Sequence, residues 1–303
     1  MCRAGASSAC PPVRPSPEPA SAWDGTALDV PDTPENAVTF GFTGRDGTNK
    51  SGNPQVGLMA LIECGTLAVI DAALDSIARF SEHKLARRLL ASLRPGIPLP
   101  ADRNFAGHEL WGLVEATGCH LAWRIKKNLV LPPLWVLSDG SYVSVMPTPA
   151  ESQRLGNARF QGRTPAGLPD GHLVRIIDCT VTVRPQHEPV QVEKFRLATS
   201  LLDHRQAPAR QLEQLYHQRW EIGNGFAELK NRLRGAGFIL RSRTPELISQ
   251  EIYTLLTVYR LKKPPRKTFE AKRRDEPRPP SRVSYSLKVT RNPGHPLSPA
   301  ETP

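Results

Sequence analysis

The segment from Gln55 to Leu93 sets the fold class. QVGLMALIE (55–63) and TLAVIDAAL (66–74) are apolar runs of strand length on either side of a turn at Gly65. SEHKLARRLLASL (81–93) follows as a helix capped by Ser81, with Leu85, Leu89 and Leu93 on one face. Two strands leading straight into an amphipathic helix point to an α/β chain. The same alternation runs on either side. AVTFGFT (37–43) reads as a strand, and IPLPADRN (97–104) as a short apolar run ending at Asp102. A helix over about 104–117 and a strand CHLAWRI (119–125) come next. LWVLSDGSYVSVM (134–146) is a hairpin turning at Asp139-Gly140, and HLVRIIDCTVTV (172–183) and VEKFRLATSLL (192–202) are strands. Helices over about 208–234 and 245–262 close the pattern, the second opened by Thr244 and Pro245. The sum is an α/β core, residues 23–127 and 203–262, carrying a β-rich insertion over 128–202.

The ends differ in kind. Residues 1–22 are rich in Pro, Ala and Ser, and residues 263–303 are basic, Pro-rich and without periodicity, so both are expected to be disordered. The 303 residues, 39% hydrophobic, suffice for one large domain or two small ones. A net charge of +11 asks for a polyanionic partner, DNA or RNA first and an anionic membrane surface second. No apolar run spans a bilayer, because Glu63 and Asp71 interrupt the best one, and the N-terminus lacks the core of a signal peptide. Five scattered cysteines without a CxxC pair exclude a zinc ribbon and suit a reducing cytoplasm.

The long helix contains a fault. In YHQRWEIGNGFAELKNRL (216–233), Ile222, Phe226, Leu229 and Leu233 form a regular apolar stripe. Tyr216, Arg219, Gly223 and Lys230 share an adjoining edge within roughly a 60° arc. A glycine inside a helix costs about 0.5–1 kcal/mol relative to Ala. Read alone, the edge is the polar border of an amphipathic helix. Asp24, before a Gly-Thr pair, reads alone as a turn residue, and Asp102 as a loop acid. Arg124 and Lys126 alternate with Trp123 and Ile125, giving one basic and one apolar strand face, either a solvated edge or a DNA-facing strand.

Taken in order, the stretches WDGT (23–26), ADRNF (101–105), WRIKKN (123–128), YHQRWEI with FAELK (216–230) and RGAGFILRSRTPELISQEIYTLL (234–256) resemble the DDE transposases of bacterial insertion sequences. The nearest group is that of insertion element four, with its Tyr-x-x-Arg-x-x-x-Glu-x-x-x-x-x-x-Lys motif. The resemblance implies a ribonuclease-H-like core with a β insertion before the last acidic helix. It implies Mg²⁺-dependent DNA strand cleavage and transfer in a nucleoid-associated cytoplasmic protein, possible as a homodimer on DNA. Asp24 and Asp102 match the first two metal-binding carboxylates, and Tyr216, Arg219 and Lys230 match the motif's Tyr, Arg and Lys, which grip DNA. Arg124 and Lys126 join them on the DNA side.

The motif's Glu, the third metal ligand, falls on Gly223. Glu221 and Glu228 point away from the site edge, so neither replaces it without exposing the apolar stripe. Mg²⁺ binding is expected to be weakened and cleavage impaired. The prolines of PSPEPASAW (15–23) occupy the place of the strand that leads into the first Asp, so the start of the core sheet is expected to be damaged. Together with a missing N-terminal DNA-binding domain, this suggests a truncated, degenerate copy. The alternative is a non-catalytic basic DNA-binding protein derived from a transposase, and a misfolded remnant is a third reading.

Overall fold

The computed structural model describes residues 19–43, 52–163, 167–185, 191–219, 239–262 and 283–289. Its centre is a set of strands whose faces are set by alternation. β1 (Ser21–Asp29), β2 (Gln55–Glu63) and β3 (Val69–Ser76) form an antiparallel sheet in the order β1-β2-β3. β2 is buried almost throughout, as expected of a near-continuous apolar run covered on both faces. β4 (Pro98–Ala101) lies in contact with β1 and pairs in parallel with β5 (His120–Ile125).

From β5 the second sheet continues through β9 (Gln191–Thr199), β8 (Gly171–Pro185), β7 (Tyr142–Pro147) and the short edge strand β6 (Trp135–Val136). The strands of the insertion therefore extend the core sheet rather than stand apart from it. β8 is long enough to pair with β7 through its first half and with β10 (Val283–Val289) through its second. That last strand falls inside the tail expected to have no order.

Helices cover both faces. On one, α2 (Glu82–Arg88) and α3 (His108–Glu115) pack Leu85, Leu89, Leu110 and Trp111 against Trp23, Leu61, Leu99 and Trp123. On the other, Ile248, Ile252 and Leu256 of α6 (Pro245–Lys262) meet Ala22, Leu58 and Ala60. A helix α5 through 209–219 sets Leu212 and Tyr216 on Cys179, Phe195 and Leu197 of β8 and β9. The remainder of the expected helix over 208–234 lies outside the described residues.

Several expectations are corrected. Residues 37–43 are not a strand: Pro34–Phe40 is helix α1, because the Thr33 side chain caps Asn36 N–H, Pro34 starts the helix, and Gly41 at φ 73 ends it. The first core strand is undamaged. The prolines stop at Pro19, and β1 pairs along its whole length with β2, from Ser21↔Glu63 to Asp29↔Gln55. Asp24 accordingly sits within a strand and not at a turn. A twelve-residue helix α4 (Pro149–Phe160) interrupts the insertion, capped by Thr148 with Glu151 three residues on. The α2 helix stops at Arg88 and gives way to a short tight turn over Leu90–Ser92.

The hairpin at Asp139-Gly140 forms as expected, with Gly140 at φ 87. It also anchors α5. Arg175 on β8 is fully buried and donates to Asp139 Oδ2 at 2.6 Å, Ser141 Oγ at 2.8 Å and the Ala207 carbonyl at 2.6 Å. Asp139 Oδ2 also accepts from Ala209 N–H at 3.4 Å, so hairpin, strand and the start of α5 share one polar knot.

Candidate active site

Alternation along β1 and β5 fixes two opposite faces. Trp23 and Trp123 point to the α2–α3 side and Asp24 and Arg124 to the α5 side. The large rings act as anchors. Trp23 lies 5.4 Å from Phe105 and 6.3 Å from Trp123, and Trp123 meets Trp111 edge-on at 5.2 Å. Trp123 also donates its ring N–H to the Leu99 carbonyl at 3.0 Å. An aromatic cluster thus locks the residue beside Asp24, the residue beside Arg124 and the turn after Asp102. Asp102 leaves β4 in a tight turn: its carbonyl accepts from Phe105 N–H at 3.0 Å, and its carboxylate from Arg103 N–H at 2.7 Å.

Asp24 on β1 and Asp102 at the end of the neighbouring β4 lie within electrostatic reach of each other. Burial pushes the Asp24 carboxyl up, the Arg219 guanidinium and the Gly25 N–H pull it down, and the Glu82 and Asp102 carboxylates push it up again. The balance holds Asp24 above the usual carboxylate range. The edge of α5 lies near this pair. Tyr216 is buried against Phe195 at 5.5 Å, and the Arg219 guanidinium lies 5.6 Å from the centre of its ring. Burial raises the Tyr216 hydroxyl, with Arg219 and Arg124 lowering it and Asp102 raising it. Asp24, Asp102, Tyr216, Arg219 and Arg124 therefore share one electrostatic environment.

Arg124 is already committed. It pairs with Glu193 at 2.5 Å and stacks 5.2 Å from the Phe195 ring centre. Burial disfavours its charge, but Glu193 outweighs that and holds Arg124 above its ordinary value. Lys126 is exposed just past the end of β5. Gly223 and Lys230, with Glu221 and Glu228, lie outside the described residues. Arg241 and Arg243 are exposed.

One participant was not legible in the motif. The start of α2 lies close over Gly25: an added Cβ would sit 3.0 Å from Glu82 Oε1, the end of a flexible side chain, and 3.5 Å from the Phe80 ring. The floor continues at Gly57, where a Cβ would sit 1.9 Å from Phe80. These two glycines let Phe80 and Glu82 settle on the β1–β2 pair, which brings the Glu82 carboxylate to Asp24. A Gly beside the Asp was a signal for close approach, but nothing in the sequence named the partner.

Among the described residues no group of three His, Cys, Asp or Glu is placed to hold a metal ion. Asp24 and Asp102 supply two carboxylates, the kind of oxygen donor that hard divalent cations take, and no third completes a group among the described residues. They do not make a two-ion cage.

The comparisons with known proteins first give a class. The transposase DDE domain family matches residues 15–261, and the chain belongs to that family. It is also 27% identical, over 242 residues, to the transposase InsG for insertion sequence element IS4 of Escherichia coli strain K12. That match covers 79% of this chain and 50% of the relative, so the chain spans about half the relative's length. Among solved structures, the piggyBac transposase in its synaptic complex with hairpin DNA matches 81% of this chain and 46% of its own, at 9% identity and a TM-score of 0.41. No described helix is long and apolar enough to cross a membrane.

Proposed function

We propose that the chain is a DNA transposase by descent, built to cleave and transfer phosphodiester strands, whose present cleavage is impaired because Gly223 stands where the motif carries its third acidic ligand. The observation that carries this reading is that Asp24 and Asp102 lie within electrostatic reach of one another and of the Tyr216–Arg219 edge of α5. A ribonuclease-H-like core is supported by the strand order β3-β2-β1 set beside the parallel pair β4-β5. In this reading Asp24 and Asp102 hold one Mg²⁺ ion. When bound, a divalent ion supplies Lewis-acid activation for attack on phosphorus.

The chain's own groups bind and orient. Arg219 sets its guanidinium beside Asp24 and over the Tyr216 ring, where its charge favours a phosphate. Tyr216 packs under it and fixes its place. Lys126 and, by the motif, Lys230 add phosphate contacts, whereas Arg124 contributes charge while bound to Glu193. The net charge of +11 favours DNA as partner; binding of both element ends and target by two copies of the chain is part of the same proposed reading.

The test is nicking of supercoiled plasmid by the full chain with Mg²⁺. Wild type is expected to be silent, Gly223→Glu to gain metal-dependent nicking, and Asp102→Ala in that background to lose it. Equal activity of wild type and Gly223→Glu refutes the impairment, and nicking that survives Asp102→Ala refutes the site. A second reading, a DNA-binding protein without catalysis, is favoured by Gly223 itself. Salt-dependent DNA binding with no nicking even in Gly223→Glu selects it.

A further inference from the structure

Beyond β5 the chain runs Lys126-Lys127-Asn128-Leu129, and its backbone is held from behind. Ile125, the last residue of β5, pairs with Arg196 of β9. The Arg196 guanidinium donates through Nη2 to the carbonyls of Lys126 at 3.0 Å, Lys127 at 3.2 Å and Leu129 at 2.8 Å. One nitrogen gathering three carbonyls turns the loop's backbone toward the sheet. Lys126, Lys127 and Asn128 remain exposed, and among the described residues no carboxylate forms an ion pair with either lysine.

Arg196 is itself set by the insertion. Asp178 of β8 lies directly opposite it, and Arg196 counters the burial that raises the Asp178 carboxyl. Tyr142 of β7 lies within its influence as well.

The loop stands next to the acidic pair. Ala101 and Trp123 are register partners, so Asp102 leaves β4 alongside Arg124 and Lys126 follows two residues on. At about 3.3 Å per residue that is roughly 7 Å, the axial span of about two phosphates of one DNA strand, spaced about 3.4 Å. We propose that Arg196 is a positioning residue, holding the loop 126–129 so that Lys126 and Lys127 seat successive backbone phosphates of a DNA strand lying over Asp102. This rests on the DNA reading above and gives the insertion a role, since its strands hold a basic clamp beside Asp102.

The test is binding of the full chain to a short fluorescent duplex over a salt series. Lys126→Ala and Lys127→Ala are each expected to flatten the log K against log salt slope by about 0.9, one phosphate each. Arg196→Met and the charge-preserving Arg196→Lys are both expected to flatten it by up to about 1.8, the share of the two lysines. Added to Lys126→Ala/Lys127→Ala, neither changes the slope further. A wild-type slope in Arg196→Lys, or a further loss when Arg196→Met joins the two lysine changes, overturns the positioning role. If Arg196→Met does not fold, the Arg196→Lys and lysine variants decide alone. Slopes unchanged in both lysine variants sink this inference and leave DNA binding standing. A wild type with no salt-dependent binding sinks the DNA reading itself.

Discussion

Arg175→Met removes the centre of the knot that ties α5 to the insertion hairpin. The side chain is wholly buried, and three of its donors are lost at once: those to Asp139 Oδ2 at 2.6 Å, the Ala207 carbonyl at 2.6 Å and Ser141 Oγ at 2.8 Å. Breaking a buried pair by deleting one partner costs about 3–5 kcal/mol. The Asp139 side chain keeps 23% exposure and so regains some hydration, which places the expected loss near 3 kcal/mol. With a urea slope of about 1–3 kcal/mol per molar, the unfolding midpoint falls by about 1–3 M. A pH series separates this pair from generic core damage. Burial raises the Asp139 carboxyl, but Ser141 and Arg175 outweigh it and hold the folded-state value below the unfolded one. The pair's contribution is therefore present above about pH 3.9 and fades as pH falls through the lowered folded value. In Arg175→Met the acid loss of stability between those limits becomes shallower. An unchanged urea midpoint, or an acid limb parallel to wild type, refutes the reasoning.

Three further outcomes follow from neighbouring features. Glu213 on α5 is buried, and burial raises its carboxyl in spite of Cys179 and Arg210. A raised folded value means stability is lost as pH climbs above the unfolded pKa of about 4.3. Glu213→Gln is thus more stable than wild type at pH 8 by on the order of 1 kcal/mol, with the gain gone at pH 4; equal midpoints at pH 8 contradict it. Gly57→Ala drives a methyl to within 1.9 Å of the Phe80 ring. Overpacking of this kind costs about 1–3 kcal/mol, read as a lower thermal midpoint, and an unshifted melt excludes a rigid Phe80. Asp24 is held above the ordinary range, so its proton competes with a divalent ion and Mn²⁺ affinity rises with pH. Glu82→Gln removes one charge that raises Asp24, which moves that rise to lower pH, measured by Mn²⁺ titration; an identical profile shows that Glu82 does not act on Asp24.

What could be read in the sequence was whatever strand alternation carries. Trp23 beside Asp24 and Trp123 beside Arg124 each place an apolar anchor on one face and a polar group on the other, and period 2 alone fixes that. The Tyr216–Arg219 edge is legible in the same way from the helical period. At two places local start and stop signals overrule the alternation. AVTFGFT alternates like a strand, yet Thr33-Pro34 starts a helix and Gly41 ends it. Thr148 with Glu151 is a capping box inside a segment that otherwise reads as β throughout. The rest needs the third dimension. Phe80 and Glu82 settle over Gly25 and Gly57, which carries the Glu82 charge to within reach of Asp24, and Arg196 reaches the loop 126–129 across a strand pairing that joins residues about 70 apart in sequence. The face α5 presents is legible by the same logic. Tyr216 and Arg219 lie on the edge of α5 nearest Asp24 and Asp102, and the packing of Leu212 and Tyr216 on β8 and β9 sets that helix's phase. Rotating α5 would lift both side chains off the sheet, and each large side chain so exposed costs about 1.5–3 kcal/mol.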